Sequence, residues 1–524
     1  MEARSVEERA PLDVTRYDLD VDLRDLAGGR LEGHARLSYR LDDGRQAPRQ
    51  PRFDLVGLTV DSVRLNGGPI GFRHDGLVLT LFAGPTRTGG TDVADIFYRG
   101  RPADGLFFGT DREGRPVAFA DNWPNRARWW FPSNDYPADK ASVRWRVHVP
   151  HGWSAVANGR LTSHDGDTWV WESGHEIPVY TMVVGVARFQ RAQLGEAACG
   201  RSSEPSPGDC AEISVWSLPG DSAYAVRRFA RAVEMVDYYT ELMGDFPYSK
   251  LAHVESATRF GGMENASAIF YAREPWEKHR MSEQVIAHET AHQWFGDAVT
   301  PCRWSHLWLS EGFASYFAPL FFRSRDGENA FRKLMSAARQ RFLESEVTGR
   351  PVISEAEGSL FSLLDANNYQ KGAWILHMLR GEVGDSAFYG AVRRYYHDFR
   401  HRNACTADLR HAMETESGEH LGWFFDQWLR EPGYPQLRIE WTDGAGSLGR
   451  DLTVVVRQEQ PRSWPTYRLD TSLRIRLRGA REIRTPIRLA GRSDTFHIAV
   501  PAPVTDLEFD PDGWILAATS VTRR

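Results

Sequence analysis

Val285-Ile286-Ala287-His288-Glu289-Thr290-Ala291-His292-Gln293-Trp294-Phe295-Gly296 is the stretch on which the reading of this 524-residue chain turns. It holds the pattern H-E-x-x-H at His288, Glu289 and His292. Residues four apart on an α-helix share a face about one turn apart, so two imidazoles converge on one ion. Glu289 leaves the helix at the next position round and reaches a water on the metal instead of the metal itself. The apolar Val285, Ile286, Ala287, Trp294 and Phe295 predict a buried helix, and Gly296 suits its C-terminal end. On this motif alone, a helix with two ordinary histidines and a solvated glutamate stays open as the other reading.

A catalytic zinc takes three protein ligands and keeps one position for water. Glu311 lies 19 positions beyond His292, in Leu309-Ser310-Glu311-Gly312-Phe313-Ala314, which reads as the start of a second helix. An antiparallel return would point that carboxylate back at the ion. Upstream stands Gly261-Gly262-Met263-Glu264-Asn265. Paired glycines allow close backbone approach and strand-like pairing with an extended peptide, and a carboxylate beside such a strand suits a cationic α-amine. A plain turn is the alternative. Tyr369, in Asn368-Tyr369-Gln370-Lys371-Gly372-Ala373, offers a phenol for a developing oxyanion, or simple helix packing.

Outward from the motif the periodicity changes twice. Tyr17, Leu19, Val21 and Leu23 alternate with polar residues, as do Ala35, Leu37, Tyr39 and Leu41, then Val143, Trp145, Val147 and Val149. Such alternation predicts half-buried strands from Val14 to about Phe189. A Gly-, Ser- and Pro-rich loop from Gly195 to Gly220 is the expected boundary. Val226, Phe229, Ala230 and Val233 then follow helical spacing, with Asp221 or Ser222 to cap and Gly244 to end the helix. Helical patterns dominate to about Arg430, and Pro432-Gly433-Tyr434-Pro435 closes that region. Leu473, Ile475 and Leu477, then Phe496, Ile498 and Val500, restore alternation over a remainder that fits a small β-sandwich.

The expectation is a multidomain α+β protein, since one core stops growing well before this length. Its parts are a β-sheet domain at 1–200, a mostly helical catalytic domain at 201–435 and a β-sandwich at 436–524. A formal charge of −6 offers no basic stripe for nucleic acid. No apolar run reaches the length of a membrane span. The charged start, Met1 to Asp13, lacks a signal core and favours the cytoplasm, with secretion or a periplasmic location left open for a mature form. Cys302 and Cys405 read as solitary, whereas Cys199 and Cys210 flank a polar stretch and either bridge it or stay free. Oligomeric state is not legible.

Taken together, these residues resemble the aminopeptidase N family of zinc metallopeptidases, in the gluzincin group. Besides the motifs above, the likeness rests on Leu307-Trp308 before Leu309, on Phe131-Pro132 with Asp135, Pro137 and Lys140-Ala141, and on Phe424-Phe425-Asp426-Gln427-Trp428. It runs from about residue 120 to 435. The resemblance implies a thermolysin-like catalytic domain holding one Zn2+ per chain through His288, His292 and Glu311, with Glu289 as general base on a zinc-activated water. It further implies that Tyr369 stabilises the tetrahedral intermediate and that Glu264 anchors the free α-amine. Gly261, Gly262 and Asn265 would bind the peptide, and Met263 would line the pocket for its first side chain. Peptides with a free N-terminus are the implied substrates.

Zinc endopeptidase or epoxide hydrolase activity at the same site, or a binding protein without catalysis, are the competing readings. Most large members add a helical C-terminal domain, so the likeness is to a short form lacking it, with a more open site or one closed by another subunit. Three positions depart from the family pattern. Thr290 replaces a more usual apolar residue, Asp297 stands where Asn is common, and Trp123 occupies a position where many relatives carry an amine-binding Gln or Glu. Asn122 or Glu311 would then assist Glu264.

Overall fold

In a computed structural model of the chain, the structure describes residues 11–41, 50–83, 90–204, 209–258, 260–354, 359–446, 449–479 and 481–524. The charged start at 1–10 and the middle of the polar stretch, 205–208, lie outside the described residues. The chain divides into two compact units, Met1–Trp304 with Tyr396–Cys405, and Ser305–Tyr395 with Thr406–Arg524.

The first unit opens on the alternating segments. Leu12–Asp22 runs antiparallel to Leu31–Leu41 and parallel to Lys140–His148 inside a nine-stranded sheet. Tyr17, Leu19, Val21, Ala35, Leu37, Tyr39, Val143, Trp145 and Val147 are all buried. That is the outcome the period-two pattern predicts, because alternate side chains on a strand face one side of the sheet.

The Gly195–Gly220 stretch proves to be more than a loop. Gln190–Ala197 and Ala211–Ser217 pair antiparallel across it, and the Cys199–Cys210 disulfide closes the polar tip between them. The strands join a five-stranded sheet in the order Gln190–Ala197, Ala211–Ser217, Lys250–Glu255, Ala268–Tyr271, Gly262–Met263. The inner part of this sheet escapes a reading by alternation. Lys250–Glu255 and Ala268–Tyr271 are buried at every position, and a strand covered on both faces carries no period of two.

The helical pattern after Asp221 resolves into two helices, Ser222–Arg228 and Ala232–Met243, the second stopped by Gly244 at φ +131°. Tyr239 on it donates to the Ala287 carbonyl at 3.1 Å and so ties it to the helix Glu283–His292. Beyond that helix, Val299–Pro301 pairs parallel with Arg402–Ala404. Cys302 and Cys405, expected to be solitary, form a disulfide at the end of this pair. Their separation of 103 residues hid the partnership, because only the strand pairing brings them together.

The helices of the second unit include Trp308–Asp326, Glu328–Leu343 and Gly372–Val383. A β-sandwich follows, as expected. One sheet runs Ser493–Val500, Gly449–Gln458, Gln436–Gly446, Ala518–Arg523, and the other Arg481–Leu489, Leu469–Leu477, Val504–Phe509. Leu473, Ile475 and Leu477 face its core.

All four cysteines are paired, so denatured, unreduced protein should expose no thiol to a colorimetric reagent and four after reduction. Replacing Cys302 and Cys405 together by Ala should cost about 2–5 kcal/mol, seen as a lower urea midpoint without reductant. Thiols titrated before reduction would contradict the pairing.

Candidate active site

The motif helix Glu283–His292 begins after Ser282 and buries Ile286, Ala287, Glu289, Thr290, Ala291 and His292. Burying this many polar groups demands partners for each. Thr290 returns its hydroxyl to the Ile286 carbonyl at 2.7 Å, which explains how a hydroxyl is tolerated at a position where an apolar residue is usual. His288 and His292 point their Nε2 atoms at each other, 3.0 Å apart, with the rings nearly perpendicular at 84°.

His292 Nδ1 lies 3.1 Å from the Phe295 carbonyl. A carbonyl only accepts, so Nδ1 carries the proton and Nε2 presents a lone pair. Two imidazole nitrogens on a tetrahedral zinc at ~2.0–2.1 Å stand about 3.3 Å apart, so the observed spacing fits one ion between them. A ring fixed through Nδ1 on a carbonyl is also the usual support of a metal-binding histidine.

Three buried residues, Glu264, Glu289 and His292, offer ligand-type atoms within 4.8 Å of one another. The sheet explains how Glu264 gets there. Gly262–Met263 is the edge strand, paired with Phe270 and Tyr271, and Glu264 follows it directly. Gly262 answers a steric demand that the sequence left unspecified. A Cβ there would sit 2.3 Å from Glu289 Oε1 and 2.5 Å from its Cγ and Cδ. A Cβ at Gly261 would meet nothing within 4 Å. Met263 is buried, and Asn265 is fully buried with its carbonyl accepting from Ala268 at 2.9 Å.

Two of the remaining expected residues lie in the second unit. Glu311 is buried in the first turn of Trp308–Asp326, and Tyr369 sits in a π-helical turn, Asn367–Lys371, that runs into Gly372–Val383. A Cβ on Gly312 would lie 2.9 Å from the Gly372 carbonyl carbon, so these two helices touch backbone to backbone. Glu311 precedes one contact residue and Tyr369 stands one turn before the other, which gathers both at the same crossing.

Sequence reasoning missed the polar groups that brace the motif. Gln293, fully buried, accepts from Ser267 N at 2.7 Å and donates to the Glu264 carbonyl at 3.0 Å and to Asp297 Oδ2 at 2.8 Å. Burial, reinforced by the nearby Glu264 charge, holds the Asp297 carboxyl well above the ordinary carboxylate range. Lys140 donates to the carbonyls of Asp297 and Ala298, both at 2.8 Å. Burial pulls its ammonium down to about 7, opposed by the nearby charges of Asp297 and Glu176. A polar residue directly after the motif, on a helix otherwise read as buried, was the available signal.

Trp123 packs edge-on against Phe260 and Trp304. Its neighbour Asn122, weighed as an aid to amine binding, donates to the Met182 carbonyl at 2.6 Å and accepts from Trp130 Nε1 at 2.8 Å. Those bonds hold it in the core.

Because Gly262 makes room for Glu289, Gly262→Ala should shift that carboxylate and change Tm little. A crystal structure of the variant with the Glu289 carboxylate unmoved would contradict this.

Comparison with known proteins agrees with the geometry. Residues 224–428 match the pattern described as the Peptidase family M1 domain. Among curated relatives, Aminopeptidase N of Streptomyces lividans is 28% identical over 86% of this chain, and Leucyl aminopeptidase of Saccharolobus solfataricus 24% over 81%. The chain spans 54% of the length of each. Among solved structures, an M1 zinc metallopeptidase of Deinococcus radiodurans superimposes with a TM-score of 0.69 at 24% identity, covering 80% of this chain and 94% of that one. Yeast LTA4 hydrolase gives 0.72 at 20% identity, covering 83% and 71%. The central part of the chain thus matches the Peptidase family M1 domain, and the chain is similar to the aminopeptidase N family that its motifs resemble.

Proposed function

We propose that this protein is a zinc-dependent aminopeptidase that removes the N-terminal residue from peptides. The observation that carries the reading is the buried meeting of Glu264, Glu289 and His292 beside His288, which supports giving one carboxylate to the substrate amine and its neighbour to proton transfer. His288, His292 and Glu311 would hold the ion. Its contribution, once bound, is to polarise the scissile carbonyl and to lower the pKa of water to about 7.

The residues of the chain divide the remaining work. An extended peptide pairs with the edge strand Gly262–Met263, whose other side is taken by Ala268–Tyr271. Glu264 receives the α-ammonium, so the chain of the substrate can extend in one direction only. Glu289 takes the proton of the attacking water and hands it to the leaving nitrogen. The Tyr369 hydroxyl donates to the carbonyl oxygen as charge grows there. Met263 contributes to the pocket of the first side chain.

Curated relatives carrying aminopeptidase names support the same reading. An endopeptidase would leave Glu264 without a task beside the catalytic carboxylate. No helix among the described residues is long and apolar enough to cross a membrane. The two disulfides support work in an oxidising compartment over the reducing cytoplasm that the first residues favoured.

The test is hydrolysis of a leucine anilide beside its N-acetylated form, with zinc counted per chain. Cleavage of the free amine alone, at one zinc per chain, is expected, and equal cleavage of both would overturn the amine rule. Glu289→Gln should keep its zinc and lose nearly all turnover. Tyr369→Phe should keep zinc and lose about 10²–10³ in turnover, the usual effect of removing one oxyanion donor. A fully active Tyr369→Phe would remove that residue from the chemistry.

A further inference from the structure

Glu264 anchors a substrate only if its backbone is held still relative to the histidine helix, and the turn that follows it has a conformation that needs holding. Ser267 adopts φ +62°, in the left-handed region that a non-glycine residue rarely occupies. Such a backbone persists where the surroundings over-determine it.

Here they do so through buried side chains from separate elements. Asn158 Nδ2 donates to the Ala266 carbonyl at 2.8 Å, and Lys250 Nζ donates to the Ser267 carbonyl at 2.8 Å. Gly159 N donates to the Ser267 hydroxyl at 2.8 Å. Gln293 binds both ends of the turn, the Glu264 carbonyl and the Ser267 N–H. The orientation of its amide is fixed by those partners, since a carbonyl must meet the NH2 and an N–H must meet the oxygen. Gln293 is also the residue directly after His292 and the C-cap of that helix.

We propose that Gln293 is a positioning residue that locks the Glu264 turn to the histidine helix and thereby sets discrimination between free and blocked peptide N-termini. The inference rests on the anchoring role given to Glu264 above. Gln293 touches no substrate in this account. It transmits the position of one metal-binding imidazole to the backbone of the amine anchor, so that anchor and catalytic carboxylate keep one spacing.

Gln293→Met removes the three hydrogen bonds while keeping an unbranched side chain of similar length. Two readouts on zinc-loaded protein test it: amide hydrogen exchange across the turn, and kinetics on the leucine anilide and its acetylated twin. The expected result is exchange at least tenfold faster at residues 264–268, with the helix 283–292 unchanged. KM for the free amine should rise, and the free-to-acetylated ratio of kcat/KM should fall at least tenfold. Gln293→Glu keeps the acceptor for Ser267 and loses the donor to Glu264, so it should move both readouts the same way if the Met variant does not fold.

Unchanged exchange in the turn would overturn the tether. An equal loss on both substrates, with Tm lowered and the ratio preserved, would reduce Gln293 to a structural residue and overturn the proposal equally. If wild-type protein cleaves both substrates alike, the aminopeptidase reading falls first, and the exchange measurement alone then judges the tether.

Discussion

A helix that buries an imidazole and a carboxylate and half-buries a second imidazole is expensive to fold unless each polar atom finds a partner, and the surroundings of Glu283–His292 follow from that constraint. The Phe295 carbonyl fixes one imidazole, and the helix Ala232–Met243 sends Tyr239 to the Ala287 carbonyl. Gln293 and Asp297 continue the chain of bonds to the edge strand and its turn. Lys140, from the large N-terminal sheet, finishes it by holding the Asp297 and Ala298 carbonyls. The polar network therefore runs from the N-terminal sheet to the histidine helix through Lys140, Asp297 and Gln293, and such buried hydrogen-bond networks rigidify the core that holds them.

Much of this was legible from residue order. Alternation located the strands around Tyr17, Leu37 and Trp145 because each is covered on one face only. The H-E-x-x-H spacing located a helix with convergent histidines because 3.6 residues make a turn. What stayed hidden has a common physical cause: the signal lay in tertiary pairing and not in local pattern. Lys250–Glu255 has both faces buried, so its side chains show no period. Cys302 and Cys405 meet only because a parallel strand pair brings 299–301 beside 402–404. Gly262 was readable as a glycine with a purpose, but the purpose, space for Glu289, belongs to a contact across 27 positions.

The departures from the family pattern find unequal explanations. Thr290 satisfies its hydroxyl within its own helix. Asp297 accepts from Gln293 through a carboxyl whose burial beside Glu264 favours the protonated form, so it keeps the hydrogen-bonding role that an amide would have there. Trp123 joins an aromatic cluster with Phe260 and Trp304, and no acidic or amide group replaces it through Asn122, whose side chain serves the core.

The crossing of Gly312 and Gly372 carries a consequence for how such a chain can drift over generations. Most tight contacts relax through paired changes, one residue growing as its neighbour shrinks. At this crossing neither partner has anything to give up, because each Cβ would lie about as close to the other backbone as 2.9 Å. Divergence is thus closed at both positions at once, and no second-site change in the pair reopens it. The residues beside them, Glu311 and Tyr369, inherit that immobility, so descent can rework the flanking sequence freely while the two stay where this backbone contact put them.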